Sequence, residues 1–155
     1  MTNNQTLEEA KQWLRDNVRD GVHCPCCEQF AKIYRRKLNS AMACMLIEFY
    51  RYVMETDTWN EWNHIRNFND SNGGDFAKLR YWNLIFEKPN KQDNAKKTSG
   101  YWKISEAGKR FAENIITLPS HMLLYDSKLL KLDGEDVDIT HCLGKNFNYR
   151  ELMND

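Results

Sequence analysis

No stretch of the chain approaches the roughly 20 consecutive apolar residues that a helix needs to cross a bilayer. The first residues are polar and acidic, unlike the basic and then apolar pattern of a secretory signal. No internal repeat and no low-complexity tract occurs. We therefore expect a cytoplasmic protein without a membrane segment. Hydrophobic residues make up 41% of the 155 residues and aromatic residues 12%, which is enough to form a packed core.

Motifs of several common enzyme classes are also absent. The sequence contains no Gly-x-Gly-x-x-Gly, Walker A, His-Glu-x-x-His or Gly-x-Ser-x-Gly pattern. His64, close to Trp62, is expected to be a half-buried packing residue. Glu48 and Glu55 lie seven positions apart on one helix, where a solvated face explains them better than paired acid–base chemistry. We therefore predict no catalytic residues and expect that the protein is not an enzyme.

Charge of one sign is not in excess, because 22 basic residues balance 22 acidic residues. A net charge of zero argues against a general nucleic-acid binder. The distribution is uneven, however: residues 1–74 carry a net −1, residues 75–110 a net +5 and residues 111–155 a net −4. Local potential steers a polyanion more than the total charge does. Residues 75–110 are therefore the candidate segment for nucleic-acid contact.

The five cysteines do not suggest a disulfide framework. Three of them crowd into Cys24-Pro25-Cys26-Cys27, and the other two, Cys44 and Cys142, stand alone. An odd and clustered set fits a reducing compartment better than an extracellular one. Cys44 is flanked by apolar residues and is expected in the core.

Cys24 and Cys27 have Cys-x-x-Cys spacing with a proline after the first cysteine, which resembles the knuckle of zinc ribbons and rubredoxin-like sites. A structural zinc ion takes four ligands, and a second Cys-x-x-Cys pair is absent. His141 and Cys142 are the most suggestive donors to complete such a site. The alternatives are buried free thiols and a thioredoxin-like redox pair, although no βαβ pattern surrounds the cysteines. A structural zinc site is thus a hypothesis based on half of its ligands.

Two helices are predicted in the first third of the chain. Thr6 and Glu9 match a capping box, which predicts a helix from about residue 7 to residue 19 that Gly21 can end in a left-handed conformation. A second helix, capped by Asn39 or Ser40, is predicted within 41–55. Apolar residues recur there at three- and four-residue intervals, namely Met42, Met45, Leu46, Phe49, Val53 and Met54.

The last third of the chain predicts a small β structure. Residues 121–125 and 129–132 have the composition of strands, and Asp133-Gly134 between apolar residues predicts a tight turn. Residues 137–139 would then pair back. A last short helix is expected through Tyr149 to Met153.

The middle segment, 58–114, predicts an ordered series of elements. An extended piece is followed by a short helix over 62–67, a glycine-containing turn and a second short helix over 75–82. A strand over 84–87, a long polar loop over 88–100 and a returning strand over 101–104 come next, and Ser105 caps a further helix. This order is that of a helix-turn-helix followed by a wing.

Two stretches of this segment resemble the winged-helix superfamily: Phe76-Ala77-Lys78-Leu79-Arg80-Tyr81-Trp82-Asn83-Leu84-Ile85 and Gly100-Tyr101-Trp102-Lys103-Ile104-Ser105-Glu106-Ala107-Gly108-Lys109. In many winged-helix regulators a leucine-bearing helix runs into a small residue and then Leu-Ile. The second wing strand ends in an Ile/Leu-Thr-x-x-Gly turn into a helix. Asn83 stands where Gly is usual and Ser105 where Thr is usual; Asn tolerates a left-handed backbone and Ser caps a helix. The chain also resembles small phage- or prophage-encoded proteins that carry a Cys-Pro-x-Cys turn ahead of such a domain.

The resemblance covers residues 58–114. Together with the helices and strands predicted on either side, it leads us to expect an α+β fold in which N-terminal helices with the cysteine turn (1–57), a winged helix (58–114) and a C-terminal β-hairpin with a short helix (115–155) form one compact unit. Phe76 and Leu79 would face inward. The helix over 75–82 would enter a major groove and the wing would contact phosphates. The residues expected to contact nucleic acid are Lys78, Arg80, Tyr81, Lys88, Lys91, Lys96 and Lys97.

We therefore expect a small DNA-binding regulatory protein whose partner is duplex DNA. The alternative is a phage-type protein-interaction module, an inhibitor or adaptor of a host protein, because winged helices also serve without nucleic acid. Its contact face would then be the acidic last third of the chain. Many winged-helix regulators are two-fold symmetric, so a homodimer is considered, but no heptad seam supports one.

Overall fold

The computed structural model describes residues 6–69, 74–89 and 99–154, which fold as an α+β protein with three small antiparallel sheets. Contacts divide the chain into two compact units. The first unit combines the chain up to Lys37 with His121–Asp133, and the second combines Leu38–Ser120 with the chain from Gly134. These units do not coincide with the expected segments 1–57, 58–114 and 115–155, because a strand from the last third pairs with one that precedes residue 38.

The first unit begins with helix α1 (Leu7–Asn17), which continues as a 3-10 turn over Val18–Asp20. The predicted capping box is confirmed: the Thr6 hydroxyl accepts a hydrogen bond from the Glu9 N–H at 3.1 Å, and the Glu9 carboxylate accepts one from the Thr6 N–H at 3.4 Å. Gly21 ends the turn at φ +91° and ψ +117°, so its φ is positive but it does not adopt the left-handed helical conformation that was expected.

Short strands complete the first unit. Strands β1 (Val22–His23) and β2 (Phe30–Ala31) form an antiparallel pair around the cysteine turn. Strand β3 (Tyr34–Lys37) pairs with β7 (Leu118–Tyr125), and β7 also pairs with β8 (Lys128–Val137). In the β3–β7 register Lys37 lies opposite His121 and Tyr34 opposite Leu124.

The hairpin of β7 and β8 turns at Asp126 and Ser127, so the prediction of a tight turn at Asp133-Gly134 is wrong. Asp126 and Ser127 adopt φ +51° and +62°, the two positive values of a type I′ turn. Strand β8 instead continues through Gly134, whose φ of +87° is accommodated because glycine has no side chain.

The expected return strand over 137–139 is also wrong in part. Val137 ends β8, and Ile139 begins helix α5 (Ile139–Leu143). The Asp138 carboxylate accepts a hydrogen bond from the His141 N–H at 2.8 Å, so Asp138 acts as a helix cap. Helix α6 (Tyr149–Asn154) confirms the last predicted helix.

Helix α2 (Ser40–Glu55) is the central helix of the second unit. The Asn39 side chain caps it by accepting from the Met42 N–H at 2.9 Å. It contacts α5, α6 and helix α4 (Glu106–Ala112), and its buried side chains include Met42, Leu46, Phe49 and Val53. Met54, which was predicted on this apolar side, is 47% exposed at the last turn. No described helix is long and apolar enough to span a bilayer.

The remaining elements of the second unit follow the predicted order with one difference. Strand β4 (Asn63–His64) and a 3-10 turn over Ile65–Asn67 stand where a helix over 62–67 was expected. Asn63 cannot be helical because its backbone pairs with that of Trp102. Helix α3 (Asp75–Lys78) continues as a 3-10 turn over Leu79–Trp82. Strands β5 (Ile85–Glu87) and β6 (Tyr101–Ile104) follow, and the sheet order is β4-β6-β5.

A buried layer joins α3 to this sheet. Six residues of this layer are at most 4% exposed, namely Phe76, Leu79, Leu84, Ile85, Trp102 and Ile104. The Phe76 and Trp102 rings meet edge to face with centroids 5.4 Å apart, an arrangement that aromatic pairs favour. The prediction of a helix packed against an antiparallel strand pair is confirmed.

Candidate nucleic-acid interface

The junction between α3 and β5 depends on two polar residues. Asn83 adopts the left-handed conformation, with φ +59° and ψ +29°, which asparagine tolerates better than most residues. The Ser105 hydroxyl donates to the Asn83 carbonyl at 2.6 Å and accepts from the Gly108 N–H at 2.8 Å. One side chain therefore caps α4 and also ties it to Asn83, at the end of the 3-10 turn that follows α3. The local roles predicted for Asn83 and Ser105 are confirmed.

The position of Gly108, three residues after the Ser105 cap, has no space for a side chain. A Cβ atom at Gly108 would lie 2.1 Å from the backbone oxygen of Leu84. The same oxygen accepts a hydrogen bond from the Ser105 N–H at 3.0 Å. Helix α4 thus approaches the start of β5 so closely that only glycine fits.

The helix over 75–82 presents fewer available cations than expected. Phe76 and Leu79 are fully buried, as predicted. The Lys78 Nζ lies 2.9 Å from the Asp75 carboxylate, so part of its charge is neutralised locally. Arg80 is exposed; its guanidinium carbon is 5.1 Å from the centre of the Tyr81 ring, and its Nη2 donates to the Tyr81 hydroxyl at 3.2 Å. Arg80 and Tyr81 are therefore the polar pair that this helix offers to a ligand.

The base of the predicted wing carries one described lysine. Lys88 is exposed, and its Nζ lies 5.6 Å from the centre of the Tyr101 ring. The other predicted wing residues, Lys91, Lys96 and Lys97, lie outside the described residues. The strands on either side are held together because the Lys88 N–H donates to the Tyr101 carbonyl at 2.9 Å.

Sequence reasoning missed a second surface, on the side of the sheet away from α3. Alternation along β6 places Trp102 and Ile104 inward and leaves Tyr101 and Lys103 outward. Phe86, directly opposite Lys103 in the register, is 48% exposed. The alternation of residues 101–104 was a signal for this face, but the sequence did not show which side of the sheet is covered.

The cysteine turn is well formed by its backbone. The Cys24 N–H donates to the Gln29 carbonyl at 2.7 Å, and the Glu28 N–H donates to the Cys24 carbonyl at 2.9 Å. Backbone hydrogen bonds from Cys27 and then Cys26 lower the pKa of the Cys24 thiol, because they stabilise a thiolate. The turn therefore favours the thiolate form of Cys24.

A complete metal site is not formed by the residues described. Within 6–69, 74–89 and 99–154, no three His, Cys, Asp or Glu side chains are grouped to hold a metal ion. Cys24 and Cys27 belong to the first unit, and His141 and Cys142 to the second. His141 is exposed, whereas Cys142 is buried. Cys44, expected in the core, is half-buried, and burial raises the pKa of its thiol.

An open groove of about 350 Å³ runs beside α2. Its lining includes Glu48, Arg51, Glu55 and Phe68. The Arg51 guanidinium pairs with Glu55 at 3.4 Å, and both glutamates are exposed, as the sequence suggested. These features are those of a solvated helix face.

No family model, curated protein or solved structure matches the chain. Four places on the described part of the second unit combine a cation with an aromatic ring: Arg80 with Tyr81, Lys88 with Tyr101, Lys103 with Trp62, whose ring centre is 5.8 Å from the lysine Nζ, and Lys109 with Trp59, whose ring centre is 3.9 Å from the lysine Nζ. Such pairs suit a ligand that carries both negative charge and flat rings.

Proposed function

We propose that the second unit contains a winged helix-turn-helix and that the protein is a small DNA-binding regulatory protein. The observation that carries this proposal is the packing of Phe76 on Trp102, which holds α3 against the sheet and leaves Arg80 exposed. The order of helix α2, strand β4, helix α3 and hairpin β5–β6 supports the same interpretation. Asn83, Ser105 and Gly108 further support it, because each supplies the local geometry that the winged-helix motif requires.

Duplex DNA would meet the exposed side of residues 75–82. Arg80 is the side chain suited to a guanine edge or a phosphate, since its planar donors match either acceptor. Its contact with Tyr81 limits the conformations of the guanidinium before binding. Lys78 would contribute less, because binding would require it to leave Asp75 or to share its charge with that carboxylate.

The hairpin would add contacts to the phosphate backbone. Residues 75–110 carry a net +5, and Lys88 stands exposed where the loop leaves β5. Each phosphate contact releases counterions, so affinity should fall steeply as salt rises. With few polar groups available to read bases, the discrimination between sequences should be modest.

The test is duplex binding by the full chain at low and moderate salt, with Arg80→Glu and the triple change of Lys91, Lys96 and Lys97 to Glu. Because one or more phosphate contacts are lost and replaced by repulsion, we expect each variant to bind roughly tenfold more weakly or worse. The matched control is Lys11→Glu on α1, which makes the same charge change at an exposed position of the first unit. It should retain most of the affinity.

Two results would contradict the proposal. One is the absence of duplex binding at low salt. The other is binding that neither salt nor charge reversal at Arg80 changes. Either result would favour the protein-interaction module, an inhibitor or adaptor, as the function of the same fold.

A further inference from the structure

A second ligand surface lies on the sheet of the second unit. The outer face, as we name it, is the side of β4-β6-β5 opposite α3, and it carries Trp62, His64, Phe86, Tyr101 and Lys103. The alternation of side chains along β6 shows which residues belong to the outer face. Trp102 and Ile104 point to the core and are 2% and 4% exposed, so the residues between and beside them point outward. The inner side is covered by Phe76 of α3, so the outer face is distinct from the surface around Arg80 that is proposed for duplex DNA, and the two share Lys88 at the base of the hairpin.

Three large rings are exposed together on the outer face. Phe86 is 48% exposed, Tyr101 42% and Trp62 38%. Single exposed apolar residues are ordinary on protein surfaces. Phe86 lies opposite Lys103, Tyr101 is two positions away on the same side of β6, and Trp62 directly precedes β4 with its ring beside Lys103. Together these rings form an aromatic patch, and such patches mark binding surfaces.

Two lysines stand among these rings. The Lys103 Nζ is 5.8 Å from the centre of the Trp62 ring, and the Lys88 Nζ is 5.6 Å from the centre of the Tyr101 ring. Neither lysine forms an ion pair within the described part of the chain. Glu87 lies opposite the inward Trp102 in the register, while Glu61 lies in the turn before Trp62. The outer face therefore offers positive charge between aromatic rings.

The Tyr101 ring is held in place before any ligand binds. His64 meets it edge to face with centroids 5.0 Å apart, and the His64 Nδ1 accepts from the Arg66 N–H at 3.2 Å. Gly100, at φ +78°, lets the strand begin beside this histidine, since a Cβ there would lie 2.9 Å from the His64 Nε2. A ring already restricted in this way loses less conformational entropy on binding.

We propose that the outer face binds single-stranded DNA, with bases stacked on Phe86, Tyr101 and Trp62 and with phosphates beside Lys88 and Lys103. Every base has a flat face, so stacking on aromatic rings tolerates any sequence. An apolar protein surface would be a poorer occupant, because it would cover two lysines without supplying acceptors for them. The choice of DNA over RNA rests on the proposed function of the same unit. The proposed stacking of bases on the rings is independent of that function.

The experiment measures the anisotropy of a labelled oligothymidine strand of about 15 nucleotides, a length within the range that single-strand-binding folds cover. The full-length protein is used. A strand of the same length and charge that lacks bases serves as the comparison. We expect the base-carrying strand to bind roughly tenfold tighter or more, because stacking on a ring contributes about that much per base.

Variants of the outer face locate the contact. Phe86→Ala and Tyr101→Ala should each weaken binding of the base-carrying strand by roughly tenfold, while Tyr101→Phe should retain it. Phe147→Ala is the matched control: Phe147 is 42% exposed and is remote in sequence from the sheet. It should leave the affinity unchanged. Lys103→Gln should lower the salt slope by about one. Thermal unfolding of each variant establishes that it is folded.

Several results would overturn the proposal. They are equal affinity for the base-free strand, equal losses in Phe147→Ala and Phe86→Ala, and no binding of the wild-type protein at low salt. Binding of an RNA strand ten times tighter than DNA would overturn the choice of DNA. Duplex binding that depends on Arg80 but not on Phe86, without single-strand binding, would uphold the proposed function and reject the outer face.

Discussion

At the scale of single residues, Gly108 lies where the backbone of Leu84 leaves no space for a side chain. Its Cα faces the Leu84 backbone oxygen, an atom that cannot move without shifting β5. Gly108→Ala should therefore destabilise the fold by roughly 3 kcal/mol, the upper part of the range for overpacking a core. Urea unfolding followed by circular dichroism measures this.

Gly74 provides the control for that substitution. A Cβ at Gly74 meets no atom within 4 Å, and its φ is −67°, so Gly74→Ala should be neutral or stabilise the protein by a few tenths of a kcal/mol. If both alanine variants unfold at the same urea concentration as the wild type, the close contact of Gly108 with Leu84 is not present in solution.

The raised pKa of Tyr50 predicts how the free energy of unfolding changes at alkaline pH. Burial, followed by a hydrogen bond to the Glu113 carboxylate and its charge, raises the pKa of Tyr50 to about 12 from an ordinary 10.0. The unfolded chain therefore ionises at lower pH than the folded one. The contribution of Tyr50 is fully present below pH 10 and is lost as the pH rises toward 12. The free energy of unfolding, measured by urea titration at several pH values, should fall across that window.

Tyr50→Phe is the matched variant for this pH effect. Without an ionisable hydroxyl at position 50, the fall in stability above pH 10 should be shallower than in the wild type. Burial also raises the pKa of Tyr149, so some dependence should remain. Parallel curves for the two proteins would mean that Tyr50 is not protected from solvent.

At the scale of elements, the β7–β8 hairpin shows how a turn is chosen. Asp126 and Ser127 both take positive φ, although neither is a glycine, and Asn-Gly is the preferred pair for a type I′ turn. The double change Asp126→Asn with Ser127→Gly should stabilise the hairpin by about 1 kcal/mol. An increase in the midpoint of thermal unfolding would show this.

A substitution at Gly134 tests the alternative turn at Asp133-Gly134. Gly134→Ala places a side chain at φ +87° inside β8, so it should destabilise the protein without moving the turn. No gain from the change at positions 126 and 127 would contradict the observed turn.

Several elements were predictable because their signals are local. The capping box of α1, the Asn39 cap of α2 and the Ser105 cap of α4 are each set within four residues. The helix expected over 62–67 was wrong because Asn63 pairs with Trp102, far away in the sequence. The turn predicted at residues 133–134 was wrong for a similar reason, because Asp133 contacts a residue far away in the sequence. The Arg35 Nε lies 2.9 Å from the Asp133 carboxylate within the first unit.

The candidate site was predictable only in part. The inward positions of Phe76 and Leu79 follow from helical spacing. The same spacing placed Arg80 on the flank of the helix, whereas the structure leaves it exposed. The ion pair between Lys78 and Asp75 depends on which side-chain conformation each residue adopts, and sequence spacing does not determine those conformations. The exposed aromatic rings were not predicted, because large rings are more often buried and only the packing of α3 shows which side of the sheet is covered.

At the scale of the whole molecule, the structure predicts that stability does not depend on bound metal. The described residues group no three side chains for metal binding, whereas a structural zinc ion contributes to folding through four ligands. Treatment with a chelator should leave the thermal unfolding midpoint unchanged. A lowered midpoint, restored by zinc, would instead support the zinc site first suggested by Cys24 and Cys27.

The route of the chain has a consequence for biosynthesis. Tyr34–Lys37 finds its partner strand at His121–Leu124, so the first unit stays incomplete until most of the polypeptide has left the ribosome. Meanwhile Leu38–Ser120 already contains most of the second unit. On a nascent chain, the N-terminal part is therefore synthesised first but completes its fold later. Until His121–Leu124 is available, the basic strand β3 lacks its antiparallel partner.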